Sequence, residues 1–230
     1  MHLQRKEGII IIQILKNNAL FADIKEQDIA SMLQCLGCRR RSIERGDFIF
    51  LAGETQPALG ILLSGNAQII KENFEGDSMI VGSLKAGDLF GETYACMGLK
   101  VLPVSVRALG KCEVLLMDVT KIIGTCQSAC VFHRQLISNL LRIIAEKNIF
   151  LSQKMSFLSH KTIRSRLEAY FSSRIQQTGS YDFSIPFNLT ELADYLCIDR
   201  SAMSRELSHM KSEGILDYRG RSFHWRRKSV

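Results

Sequence analysis

Between Ser128 and Leu158 the chain contains neither glycine nor proline. Such a stretch leaves room for little except one long helix. Within it Ile137, Leu141, Ile144, Asn148, Leu151, Met155 and Leu158 follow one another at alternating steps of four and three. That spacing keeps these side chains on a single seam, the heptad pattern of a coiled coil, and puts Asn148 at an a position. An Asn in an otherwise apolar seam costs stability but fixes register and a two-stranded state, so the helix is expected to pair with a second copy of itself. The alternative is a core helix of one chain, with Asn148 an incidental polar residue.

The chain before this helix has the opposite character. Gly46, Gly53, Gly60, Gly65, Gly76, Gly82, Gly87, Gly91 and Gly98 punctuate short apolar runs such as "FIFLA", "GILLSG", "AQII" and "SMIVGSL". Many short strands separated by turn residues predict a sandwich or barrel. Ahead of them "LFADIKEQDIASMLQCL" is predicted to be helical, with Ile24, Ile29, Met32, Leu33 and Leu36 facing inward. The N-terminal "MHLQRKEGIIIIQILKNN" places basic residues before an isoleucine run, as a signal peptide would. The run is short, is interrupted by Gln13, and no small-residue cleavage site follows, so a buried helix is expected. Nothing reaches the length of a membrane span.

After "FLSHK" a third, smaller unit begins. It opens with the helix "TIRSRLEAYFSSRIQQ", continues through "YDFSIPFNLT" and two helices, and ends in "ILDYRGRSFHW", which alternates like a hairpin around Arg219-Gly220-Arg221. Of the two helices, "LTELADYL" has Thr190 near its start and turns Leu192, Ala193 and Leu196 inward. "CID" breaks the chain, and "RSAMSRELSHMKSEG" follows. In this last helix Met203, Leu207 and Met210 form a narrow apolar stripe, while Ser201, Ser204, Arg205 and Ser208 share a face roughly opposite. Solvated helices usually carry Glu and Lys there. Short hydroxyls permit close approach to something large, and arginine grips or reads it.

The grammar is that of a helix-turn-helix, with a bracing helix, a tight turn and a second helix that enters the major groove. Arg200, Ser201, Ser204 and Arg205 are the candidate base-reading residues, since arginine bonds guanine bidentately and serine reaches bases or phosphates over short distances. Thr190 and Ser208, with Arg219 and Arg221 of the hairpin, are the candidate phosphate contacts.

Composition agrees. The 230 residues carry a formal charge of +7, and from residue 160 onward 12 Lys/Arg stand against 8 Asp/Glu. More than half of the excess charge therefore lies in under a third of the chain, which suits a polyanionic partner. Seven cysteines, an odd number without a tight framework, argue against a disulfide scaffold and for a reducing cytosol. Cys35 and Cys38 of "CLGC" sit where a helix runs into the first strand, Cys112 reads as a strand residue, and Cys126 and Cys130 lie i, i+4 near the start of the long helix; structural roles are expected for all five. The five histidines show no ligand spacing, so no metal or cofactor is expected. There is no Walker loop, nucleophile elbow or zinc motif, which disfavours an enzyme.

Taken in order, "LFADIKEQDIASML", "RGDFIFLAGE", "ILLSGNAQI", "AGDLFGE", the long helix and "LTELADYLCIDRSAMSREL" resemble, end to end, the CRP/FNR family of bacterial transcription regulators, the cyclic-AMP receptor protein and its relatives. The resemblance implies an α+β chain with an N-terminal β-roll (a double-stranded β-helix, or cupin-like jelly roll) as effector domain over residues 1–127. A central dimerisation helix would span 128–159, and a C-terminal winged helix-turn-helix 160–230. It implies a homodimeric, cytoplasmic regulator of transcription with palindromic double-stranded promoter DNA and RNA polymerase as partners, and an unidentified small-molecule effector. The other reading is a redox-gated or constitutive DNA binder whose β-roll is only a dimer platform.

The sequence departs from the family in three places. Relatives often present the rhythm E-x-x-S-R on the recognition helix; here it is S-A-M-S-R, so Ser204 and Arg205 match and Ser201 replaces the glutamate. The turn position, often glycine, is Cys197, which suggests a slightly different turn or a small buried residue. In the effector pocket, Gly91 and Glu92 match the family. Counting back from "VRA" (Val106 to Ala108), however, puts Leu102 and Pro103 where cyclic-nucleotide sensors place an arginine and a hydroxyl on the cyclic phosphate. Neither can neutralise or donate to a phosphate. Arg107 is one register away and expected to face solvent, so cyclic AMP is disfavoured. Cys96, in the loop after Glu92, is a subsidiary candidate for redox control.

Overall fold

The computed structural model describes residues 10–55, 58–99, 101–124 and 131–226. Cys126 and Cys130, and the expected start of the long helix at residue 128, lie outside the described residues. The chain divides into two compact units, Met1–Ala145 and Glu146–Val230. The long helix is shared between them.

In the first unit two four-stranded antiparallel sheets form a jelly roll. One has the order β1 (Arg39–Ile43), β8 (Cys112–Asp118), β3 (Ala58–Ser64), β6 (Leu89–Phe90). The other runs β2 (Phe48–Phe50), β7 (Ser105–Ala108), β4 (Asn66–Glu72), β5 (Ser78–Lys85). The strand period explains why β3 and β8 are apolar at nearly every position. Leu62 of β3 with Cys112, Val114 and Leu116 of β8 point into the roll, against Phe50, Ala67, Phe90 and Val106. Leu59, Ile61, Leu63, Leu115 and Met117, the alternate set, pack outward on helices. Each strand is thus buried on both faces, so the in/out alternation of a half-solvated sheet is missing from its sequence. Gly60 lets the Phe90 ring lie across β3, where a Cβ would sit 2.3 Å from the ring.

The helical layer against the outer face comprises α1 (described over residues 10–16), a 3-10 turn Ala19–Phe21, α2 (Glu26–Cys35), α3 (Glu92–Cys96) and α4 (Val119–Ile123), with the first half of α5 (Val131–Leu158). The expected inward face is largely present, with Ile29 and Met32 of α2 and the flanking Ile24 and Leu36 buried and Leu33 half-buried, but the helix does not begin at the "LFADIK" stretch. Asp23, at φ 62°, breaks the chain between the 3-10 turn and α2. The expected burial of the N-terminal helix is also corrected: Leu15 is fully buried, Ile11, Ile12 and Ile14 are half-buried, and Ile10 is exposed. The helix lies on the surface of the core rather than within it. Cys96 is the last residue of α3, not a loop residue.

Leu136, Leu140 and Ile143 fasten α5 to this layer, and so does Asn139, which is 1% exposed. Its Nδ2 donates to the carbonyls of Leu20 (2.9 Å) and Ala22 (2.8 Å), and its Oδ1 accepts from Gln135 and Arg142. A buried amide must be satisfied in this way or it destabilises the fold.

In the second unit α6 (Ile163–Thr178), α7 (Leu189–Leu196) and α8 (Arg200–Ser212) pack with a three-stranded sheet of order β10 (Leu216–Arg219), β11 (Ser222–Trp225), β9 (Asp182–Ser184). Their core includes Leu167, Phe171, Leu192, Leu196, Met203, Leu207, Met210 and Phe223. Arg219 pairs with Ser222, so the hairpin loop is the two residues Gly220-Arg221. Gly220, with φ 62°, supplies the positive φ that such a loop needs at its first position.

Candidate nucleic-acid interface and effector pocket

Helices α7 and α8 are separated by Cys197, Ile198 and Asp199, and each is started by its own side chain. Asn188 Oδ1 accepts the Glu191 N–H (2.9 Å), while Glu191 Oε2 accepts the Asn188 N–H (2.7 Å), a reciprocal capping box. Asp199 Oδ1 accepts the Ala202 N–H (2.8 Å) and the Ser201 hydroxyl (2.5 Å). These bonds, that to Ser201 first, hold the Asp199 carboxyl below the usual range. Neither cap was picked out in the sequence, although N-L-T-E carries the capping-box spacing.

Between the helices Cys197 adopts φ 52°, ψ 52°. The left-handed conformation that a glycine would adopt is therefore kept, with a cysteine in it, and the alternative of a small buried residue is corrected: Cys197 is exposed. Arg166 of α6 secures the turn, donating from Nη1 to the Cys197 carbonyl (3.1 Å) and from Nε to that of His160 (2.9 Å). Arg164 fixes α8 from behind through Glu206 (2.9 Å) and Glu213, and its acidic partners, Glu213 foremost, raise its pKa. Both arginines escaped the sequence reading, since no local pattern says which strand or helix a long cation will reach.

With α8 so held, Met203, Leu207 and Met210 are fully buried. On its other side Arg200, Ser201, Arg205 and Ser208 are exposed and Ser204 is half-buried. Thr190 meets Arg200, whose Nε donates to its hydroxyl at 3.4 Å. Arg221 of the hairpin loop lies 3.7 Å from Glu191 at the start of α7, and Arg219 is exposed at the end of β10. The fold thus gathers Thr190, Arg200 and Arg221 around the N-terminus of α7, with Ser201, Ser204, Arg205 and Ser208 along one side of α8. Serines, arginines and two helix N-termini on one surface can donate many hydrogen bonds to an anionic partner.

In the first unit, Gly91 precedes α3 with φ 78°; a Cβ there would lie 2.9 Å from the Phe50 ring and 3.2 Å from the Ala58 carbonyl. Glu92 is buried at the start of α3, where the Thr93 hydroxyl donates to it at 3.2 Å. Leu102 belongs to the apolar interior of the roll, whereas Pro103 and Arg107 are exposed. The buried hydroxyl here is Ser105, which the sequence reading passed over. Its Oγ accepts the Ala52 N–H at 3.0 Å.

Of the seam residues, Leu141 (63%), Leu151 (58%) and Met155 (70%) are exposed. Asn148 is exposed too, its Oδ1 accepting from Ser152, while Ile137, Ile144 and Leu158 are half-buried. Cys38 is raised to about 12 by burial, and Cys96 is raised by burial and by Glu92. Neither environment favours a thiolate.

Comparison with known proteins adds to this geometry. Residues 40–129 match the family described as cyclic nucleotide-binding domain, and residues 165–226 the Crp-like helix-turn-helix domain. The chain is 23% identical over 189 residues to electron transport regulator A of Shewanella oneidensis, covering 80% of this chain and 73% of that one. It is 24% identical over 188 residues to transcriptional activator protein FnrA of Stutzerimonas stutzeri, covering 80% and 75%. Among solved structures, the sensor domain of the transcriptional regulator DNR from Pseudomonas aeruginosa aligns with a TM-score of 0.52 at 19% identity, over 70% of this chain and 99% of that one.

Proposed function

Since the chain belongs to the CRP/FNR family of transcription regulators, which are not enzymes, we propose that it acts as a homodimer on palindromic promoter DNA, gated by a small molecule in the β-roll that is not a cyclic nucleotide. The observation that carries this reading is the α8 surface: Arg200, Ser201, Arg205 and Ser208 exposed, with Ser204 half-buried, opposite a fully buried Met203–Leu207–Met210 stripe. Arg200, Ser201, Ser204 and Arg205 read bases, with Thr190, Ser208, Arg219 and Arg221 on phosphates. Serine at position 201 replaces an acceptor for a cytosine amino group with a short hydroxyl, so the half-site differs from that of relatives with glutamate there.

The apolar seam of α5 supports pairing of two copies, and RNA polymerase is the partner that such a regulator would recruit or block. With Leu102 interior and Arg107 exposed, neither position offers a cation to a cyclic phosphate inside the roll. The effector class that suits the roll is apolar, aromatic or a small carboxylate.

Selection of duplexes from a random pool tests the reading. The expected product is a palindrome with two half-sites one helical turn apart, bound with an affinity that falls steeply with salt. Recovery of no motif, or of salt-insensitive binding, overturns it.

A further inference from the structure

A serine hydroxyl can donate one hydrogen bond and accept two. A serine in the major groove therefore discriminates poorly, since it can donate to the acceptors of guanine or thymine and accept from the amino groups of cytosine or adenine. At position 201 the choice is made before any partner arrives. The Ser201 hydroxyl lies 2.5 Å from Asp199 Oδ1, the same oxygen that accepts the Ala202 N–H at 2.8 Å. An ionised carboxylate has no proton to give, so Ser201 is the donor in this bond. What its oxygen still offers to solvent is lone pairs.

The carboxylate is held in its ionised form. The Ser201 bond first, then the backbone bonds and the charge of Arg205, lower the Asp199 pKa, and the start of a 13-residue helix favours negative charge. A hydroxyl bound to a carboxylate is held about twice as strongly as one bound to a neutral acceptor. Ser208 gives the contrast. Its hydroxyl donates to the Ser204 carbonyl at 2.9 Å, a neutral bond back onto the helix that is readily exchanged, so Ser208 can still donate to a phosphate. Capping α8 needs only the Ala202 bond. The second bond of Asp199 does nothing for the helix backbone and constrains Ser201 instead.

We infer that Ser201 reads its base pair as an acceptor only, taking a hydrogen bond from the exocyclic amino group of cytosine (N4) or adenine (N6), and that Asp199 is the positioning residue that imposes this by holding the serine proton. A glutamate at position 201 would accept from an amino group directly. The serine does so through the charge of its neighbour, over a shorter reach, so the kind of atom read is kept while the distance at which it is read changes. A carbonyl in place of that amino group faces the serine lone pairs and is rejected. The inference rests on the DNA-binding reading above, and its test separates the two.

The test uses the full chain, Ser201→Ala, and Asp199→Gly, since glycine is tolerated at an N-cap but holds no proton. The base pair at which S201A relaxes the motif selected by the wild type is the one that Ser201 reads; if it relaxes none, the inference is overturned. At that pair two duplexes are compared with the selected one. In the first, 2-pyrimidinone replaces cytosine, or purine replaces adenine, which deletes the amino group. In the second, the transition C·G to T·A or A·T to G·C puts a carbonyl in its place. Relative to S201A, the wild type should lose about fivefold or more on the first and about tenfold or more on the second. In D199G the freed hydroxyl can donate to the carbonyl, so the loss on the second should shrink to about twofold. Wild-type binding that ignores the missing amino group, or a transition penalty undiminished in D199G, overturns the inference while the DNA-binding reading stands. Failure of the wild type to select any duplex overturns that reading, and the inference with it. The proton itself is followed without DNA by titrating the Asp199 carboxyl by NMR: its pKa should rise in S201A, and an unchanged value overturns the inference.

Discussion

Cys197 shows how a single residue can sit in a conformation that its chemistry resists. At φ 52°, ψ 52° its Cβ crowds the following carbonyl, a cost of about 1–2 kcal/mol that glycine escapes. Glycine loses part of this advantage to its freer unfolded state. Cys197→Gly is therefore expected to stabilise the protein by about 0.5–1 kcal/mol, read as a higher urea midpoint at unchanged slope. Arg205 gives a functional prediction at the same scale. Arg205→Ala should remove discrimination at one base pair of each half-site, at about 1–3 kcal/mol, whereas Arg221→Ala should weaken all sequences alike and flatten the salt dependence. Equal motif strength for wild type and Arg205→Ala in random-pool selection would show that another residue reads that base. At this scale the sequence showed which face of α8 is free, because helical spacing alone separates Met203, Leu207 and Met210 from the serines. It hid what holds α8 in place. Apart from the nearby His160 carbonyl, Arg164 and Arg166 act on partners 30 to 49 residues away, and only the folded chain decides which carbonyl or carboxylate a flexible cation meets.

At the scale of the element, α5 carries two stripes that interleave in the sequence. Leu136, Leu140 and Ile143 are buried against the first unit, while Leu141, Leu151 and Met155 remain more than half exposed. The heptad spacing made the second stripe legible. The first went unnoticed because the two differ by one residue, and a helix this apolar offers several plausible faces. Exposed leucines in register over more than one heptad favour association with a second helix, as burial of each is worth about 1.5–3 kcal/mol. Leu141→Asp combined with Leu151→Asp is expected to give monomers that no longer hold a palindrome; sedimentation of that variant as a dimer would move the interface elsewhere. Asn148→Leu should leave a dimer at least as stable, now with other registers or oligomers present. The strands behaved differently. The glycine punctuation indicated a sandwich or barrel, but β3 and β8 are buried on both faces, so no alternation in their sequence could show which residues line the roll.

For the whole molecule the question is what the roll can bind. Its family match spans residues 40–129, which include Gly91 and Glu92, the pocket residues that the resemblance implies. A family match of this extent describes a fold, while binding depends on the few side chains aimed at the ligand. A cyclic phosphate in a protein interior requires a cation and hydrogen-bond donors, because an uncompensated buried charge is penalised by several kcal/mol. The position expected to supply the cation is Leu102, which packs among Phe50, Phe90 and Val106. The position expected to supply the hydroxyl is Pro103, which is exposed. Ser105 is buried nearby, but its oxygen already accepts the Ala52 N–H, and Arg107 points outward. Cyclic AMP and cyclic GMP are therefore expected to bind no more tightly than about 1 mM, and to leave the affinity for the selected duplex unchanged. Isothermal titration of the protein with each nucleotide checks the first statement, and repeating the DNA titration in their presence checks the second. Micromolar binding would mean that a cation from elsewhere in the protein reaches the roll; binding without any change in DNA affinity would mean that the roll holds nucleotides without gating.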